Sequence, residues 1–241
     1  MRGFRLSERL CLETISPLIK LGFDVKGDFM DYRYETTTVS GFVQQLAMCY
    51  LEHGYWFYVQ GTIPESKDLA KVDEKLLNKY QVSVSKFQRC RLKQKNVSGI
   101  QYLRYERTFL LLATKGIHDF FKEESEVIKD VRREPIKFRG YSIGYNNGHP
   151  TVSLARDTYR NLHAYFLELA VHRSADCIAQ EIKKLPYEGY PSVIWQLSAI
   201  LKAVNKRRKA AGFAPVPSSC LPGRRHICKA FEPLLVSPAG G

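Results

Sequence analysis

The chain has 241 residues, 44% hydrophobic and 25% charged, enough apolar content for one sizeable core or two small ones, which excludes disorder of the whole chain. Apolar runs such as Phe109-Leu110-Leu111-Leu112-Ala113 fall far short of the roughly 18 residues a membrane-spanning helix requires, and the first residues lack the apolar stretch of a secretory signal, so a soluble cytoplasmic protein with no membrane partner is expected. The net charge is +13, from 37 Lys and Arg against 24 Asp and Glu, which points to a polyanionic partner.

Residues 1–35 offer only a short helix over 8–20. From Val39 a clear stripe begins: Val39, Phe42, Val43, Leu46, Ala47 and Tyr50 recur at helical spacing, with Thr37 or Thr38 to cap the start and Gly54 to end it. The aromatic run Tyr55-Trp56-Phe57-Tyr58-Val59 predicts a strand. Asp68 then caps a helix with Leu69, Val72, Leu76, Leu77 and Tyr80 on one side. A strongly basic helix follows over 84–95, and the β-favouring runs 100–105 and 108–114 make a hairpin.

Further on, 117–131 reads as a helix with Phe120, Phe121 and Ile128 inward and Glu123, Glu124 and Glu126 outward. A second hairpin pairs 136–145 with 149–154 around Asn146-Asn147-Gly148. Helices are expected over 157–172, 175–185 and 191–211, the last opened by Pro191 and closed by Lys206-Arg207-Arg208-Lys209 before Gly212. The remainder reads as an irregular segment ending in a loose LLVSPAGG tail.

The order helix, strand, helix, helix, strand, strand over 39–114 resembles the winged-helix DNA-binding domain, and the resemblance rests on DEKLLNKYQVSVSKFQRCRL at 73–92. Leu76, Tyr80, Val82, Phe87 and Cys90 hold the apolar spacing of two helices crossing at a tight turn. Leu77 stands where that family usually has a small residue, and Gln81 where it usually has Gly. The resemblance implies that Ser83, Ser85, Lys86, Gln88 and Arg89 begin or line a helix in the major groove, with Arg104 and Arg107 in or near the wing. The segments HGYWFYV, QYLRY and LLAT also resemble those of a group of bacterial proteins of unknown function. The fold expected is α+β: a winged-helix-like nucleic-acid-binding unit at 1–115, a hairpin plus helical unit at 116–212, and an irregular basic tail at 213–241.

The charge is concentrated in two segments. Residues 86–107 hold Lys86, Arg89, Arg91, Lys93, Lys95, Arg104 and Arg107 against one acid, Glu106; residues 202–229 hold Lys202, Lys206, Arg207, Arg208, Lys209, Arg224, Arg225 and Lys229 and no acid. Such clusters favour nucleic acid, DNA before RNA, with phosphate neutralised by the cations and bases read by Ser85, Gln88 and Arg89. Tyr102 and Tyr105 interleave with the arginines of the first hairpin and suit either stacking on bases or packing in the core.

No glycine-rich phosphate loop occurs, the six cysteines include no C-x-x-C pair, and no cofactor is expected. His149 ahead of a helix containing Tyr159 loosely resembles the HUH endonucleases, although their second histidine is absent here. That resemblance implies an alternative: a nuclease or nicking enzyme of a mobile element, with Tyr159 as nucleophile, His149 as a ligand, and a divalent metal. Asp119, Glu123, Glu124 and Asp130 are the acidic candidates for such chemistry. A third reading is an assembly protein whose basic faces meet an acidic protein.

Overall fold

A computed structural model describes residues 32–232. The helix expected over 8–20 and the LLVSPAGG tail lie outside these residues. Strand β1 (Glu35–Thr36) leads into α1 (Val39–Gln44), whose first turn is capped by Thr38, its Oγ1 accepting from the Gly41 amide at 2.9 Å. The helix continues through a π-helical stretch, Gln45–Tyr50, and a tight turn, Leu51–His53. It ends at Gly54, whose φ of +91° is the left-handed conformation glycine adopts without a Cβ clash. Strand β2 spans Phe57–Thr62 and starts two residues later than its aromatic run. Tyr55 and Trp56 are spent in the turn, the Trp56 ring nitrogen donating back to the Leu51 carbonyl at 3.2 Å.

Helix α2 (Leu69–Lys79) has the expected Asp68 cap, and Gln81 takes a left-handed φ of +49° in the turn that follows. Helix α3 (Lys86–Gln94) opens with a capping box between Ser85 and Gln88. Strands β3 (Ile100–Tyr105) and β4 (Thr108–Ala113) form the hairpin. It is not a projecting wing: β3 and β4 are inner strands of a five-stranded sheet of order β1-β3-β4-β2-β5, where β5 is Lys129–Asp130 and only the β1–β3 pair is parallel. Alternate side chains leave this sheet on opposite faces. Tyr58, Leu103, Leu110 and Leu112 join the larger core with α1, whereas Val59, Tyr102, Phe109 and Leu111 pack on Leu76, Tyr80 and Phe120. Burial on both faces explains why 109–113 reads as an unbroken apolar run.

Two expectations fail here for local reasons. The long helix over 117–131 shrinks to one turn, α4 (Phe120–Glu123). His118 Nδ1 caps the Phe120 amide, Ile117 and Val127 are exposed, and Glu124 turns inward to accept the Tyr80 hydroxyl at 2.5 Å. The first strand of the second hairpin divides at Arg139 and Gly140, both with positive φ, into β6 (Ile136–Phe138) and β7 (Tyr141–Asn146). With β8 (His149–Leu154) these form a three-stranded antiparallel sheet.

Helices α5 (Arg156–His172), α6 (Ala175–Lys183) and α7 (Pro191–Ala210) complete the fold. Gln196, near the start of α7, bonds both backbone groups of Leu154 just ahead of α5, while Arg208 near its end bonds the carbonyls of Ala170 and Arg173. Helices α5 and α7 therefore run side by side in the same direction, and α6 lies between them in sequence. The larger core draws side chains from both sides of residue 115 and includes Val216 and Cys220 from the carboxy-terminal segment. The architecture is α+β.

Candidate nucleic-acid interface

Helix α3 is the more exposed of the two basic elements, and none of its described side chains is buried. Its inward line is Ser85, Arg89 and Leu92, each only partly covered, so Phe87 and Cys90, expected inside, are exposed; Phe87 is 80% exposed. Ser85 Oγ accepts from the Gln88 amide at 3.2 Å and Gln88 Oε1 accepts from the Ser85 amide at 2.8 Å, so these two side chains serve first as the helix cap. Lys86 opens the helix. Arg89 leans inward, and its Nη1 is buried without a hydrogen-bond partner among the described residues. Arg91, Lys93 and Lys95 face solvent, no acid stands between Glu74 and Glu106, and Arg91 and Lys93 make no ion pair with a described carboxylate.

The two hairpin arginines are placed differently. Arg104 is 3% exposed, with Nε 3.0 Å from Asp73 Oδ2, Nη2 2.8 Å from Glu35 Oε2 and Nη1 donating to the Glu106 carbonyl at 2.6 Å. Burial opposes its charge, but Asp73 and Glu35 outweigh burial and hold the guanidinium more basic than usual. A fully engaged, buried guanidinium offers nothing to a phosphate, so Arg104 leaves the interface. Arg107 is half-buried at the hairpin turn and donates to the Pro64 carbonyl at 2.7 Å. Tyr102 is fully buried and donates to Asp73 Oδ1 at 2.6 Å, which makes it a packing residue, whereas Tyr105 is half-buried with its ring edge-on to Phe138.

At the carboxy-terminal end of α7 the cations again divide. Arg208 is 3% exposed and donates to the carbonyls of Ala214, Ala170 and Arg173 at 2.6, 2.8 and 2.8 Å, tying the ends of α5 and α7 together. It too leaves the interface. Lys206, Arg207 and Lys209 are exposed at that shared end, and Arg173, which the sequence reading missed, joins them there. None of the four pairs with a described carboxylate. Arg224 and Arg225, close to them in sequence, lie elsewhere. Arg225 donates to Gln44 Oε1 at 3.1 Å and stacks on Tyr190 at the start of α7, a 20-residue helix about 30 Å long. Arg224 is exposed beside a cavity of about 410 Å³ bordered by Ser40, Glu188 and His226. Gly189 makes this approach possible: a Cβ there would lie 1.6 Å from the Gly223 carbonyl oxygen.

The residues of the nuclease reading are held apart or already partnered. Tyr159 packs against the larger core, its ring 6.0 Å from His163, while His149 is exposed at the start of β8 with Nδ1 3.1 Å from the Asn147 carbonyl. Glu123 pairs with Lys79 at 2.8 Å, Glu124 accepts from Tyr80, and Asp130 forks with Arg132 at 2.6 Å. Among the described residues no three His, Cys, Asp or Glu side chains gather into a metal-binding group. No helix among them is long and apolar enough to cross a membrane. Comparison with known proteins yields no matching family and no similar curated protein.

Proposed function

We propose that this chain is a nucleic-acid-binding protein, DNA before RNA, that neutralises phosphates through α3 and through the shared end of α5 and α7. The observation that carries the reading is a division among the cations. Lys79, Arg104, Lys129, Arg132, Arg139 and Lys184 each have a carboxylate partner, whereas Arg91, Lys93, Arg173, Lys206, Arg207 and Lys209 are exposed without one among the described residues. Exposed cations without acids nearby gain most from releasing the counterions of a phosphate backbone. A helix-turn-helix use of α2 and α3, with α3 in the major groove, belongs to the proposal. The left-handed Gln81 between the helices and the absence of buried side chains among those described on α3 support it.

The test is fluorescence anisotropy of labelled duplex DNA with the wild type and an R91A/K93A variant. Two lost phosphate contacts should weaken binding roughly tenfold and make the salt slope shallower by about 2. Unchanged binding would remove α3 from the interface. Absence of binding to DNA or RNA at about 150 mM salt would favour an acidic protein as partner instead.

A further inference from the structure

Trp195 is 72% exposed, an unusual position for the largest side chain on a helix that otherwise buries Val193, Leu197, Ile200, Leu201 and Val204. At about 100° per residue it stands roughly opposite that buried line. Lys202, Lys206 and Lys209 follow at seven, eleven and fourteen residues, all exposed, and fall on the same outer stripe, which runs about 21 Å along the helix axis. The whole of α7 contains no acid, and none of the three lysines pairs with a described carboxylate.

Each alternative occupant fits this stripe less well. A membrane surface would call for several large apolar residues beside the lysines, and Trp195 is alone there. A protein interface would call for an apolar centre within a polar rim, whereas one indole heads a row of ammonium groups. A duplex would meet the lysines with phosphates, but its base faces are closed to the indole. An unpaired strand satisfies both parts: a base stacks on the indole while the backbone follows the lysines. No group on the stripe calls for a 2′-hydroxyl.

We propose that the outer face of α7 binds single-stranded DNA, with Trp195 as the stacking platform and Lys202, Lys206 and Lys209 as the phosphate track. The proposal rests on the nucleic-acid reading above and adds the form of the strand and the residue that selects it. The far exposure of Trp195 makes its replacement harmless to the core, so the variants remain folded.

The experiment titrates the full chain and its W195A and K202A/K206A/K209A variants against labelled oligodeoxythymidine, a duplex of equal length and oligouridine at several salt concentrations. Intrinsic tryptophan fluorescence is recorded in parallel for the wild type and W195F. W195A should lose roughly tenfold or more in affinity for the single DNA strand with an unchanged salt slope. The triple lysine variant should make that slope shallower by about 2. Single-stranded DNA should quench the wild type more than W195F. Equal single-strand affinity of W195A and wild type, or an equal loss on duplex and single strand, would overturn the stacking role. Tighter binding of oligouridine would overturn the choice of DNA. Duplex binding that persists through α3 while W195A leaves single-strand binding unchanged would overturn this proposal alone; no binding to any of the three would overturn the broader reading as well.

Discussion

Helices α3 and α7 carry the same charge in different settings. Helix α7 buries Val193, Leu197, Ile200, Leu201, Val204 and Arg208, and is fixed at both ends through Gln196 and Arg208. Helix α3 buries no described side chain and rests on Ser85, Arg89 and Leu92. The contrast shows that one run of Lys and Arg can hold cations in two settings. A cation on a packed helix becomes structural when the helical turn points it inward, as at Arg208, and its immediate neighbours stay outside. On a helix that packs little, charge costs the fold almost nothing and is available to a partner.

The sharpest way to probe this division is to remove the structural cations. Arg104→Ala leaves Asp73, 1% exposed, without its guanidinium, and should cost about 3–5 kcal/mol in urea unfolding. Arg208→Ala forfeits three charge-assisted bonds to carbonyls and should cost about 3 kcal/mol. If either variant remained as stable as the wild type while DNA binding fell, these arginines would belong to the surface class after all. The converse holds at the shared helix end. R207A/K209A should leave the unfolding free energy within about 0.5 kcal/mol of the wild type and still make the salt slope on duplex DNA shallower by about 2.

A smaller effect comes from pH. The neutral His118 ring accepts the Phe120 amide at 3.0 Å, and burial holds its pKa below the ordinary histidine value. The unfolded chain therefore takes up its proton first, near pH 6.5, and stability declines as the pH falls from there to the lower folded-state pKa. Below that value this contribution is constant. Urea unfolding at pH 7.5 and pH 5 should show the decline, and His118→Asn, which keeps an acceptor without titrating in this range, should flatten it.

Much of the fold is legible in local sequence signals. Thr38, Asp68 and Ser85 cap the helices they precede, and Gly54 ends the helical run that α1 opens, where the apolar stripe stops. The failures occur where tertiary contacts override local preference. Glu124, read as an outward acid, is drawn in by the Tyr80 hydroxyl and ends the helix early; Arg139 and Gly140 break what reads as one strand. The inner position of the β3–β4 hairpin depends on β1, β2 and β5, which no short-range pattern brings together. At the candidate interface, clustering of charge is visible in the sequence but the division within it is not, because Arg104 and Arg208 are drawn inward by Asp73, Ala170 and Arg173, each 31 or more residues distant, as well as by nearby carbonyls. Trp195 was within reach: Val193, Leu197, Ile200, Leu201 and Val204 set the buried phase of α7, and Trp195 falls opposite it with Lys202, Lys206 and Lys209.

The most direct test of the central claim is the salt dependence of wild-type binding to labelled duplex DNA from about 50 to 200 mM monovalent salt. The account predicts a steep linear fall of the logarithm of affinity with the logarithm of salt, with a slope of about −4.5 or steeper for five or more neutralised phosphates. A flat profile, or no binding across the range, would contradict it and place the exposed cations of α3 and α7 outside any nucleic-acid interface.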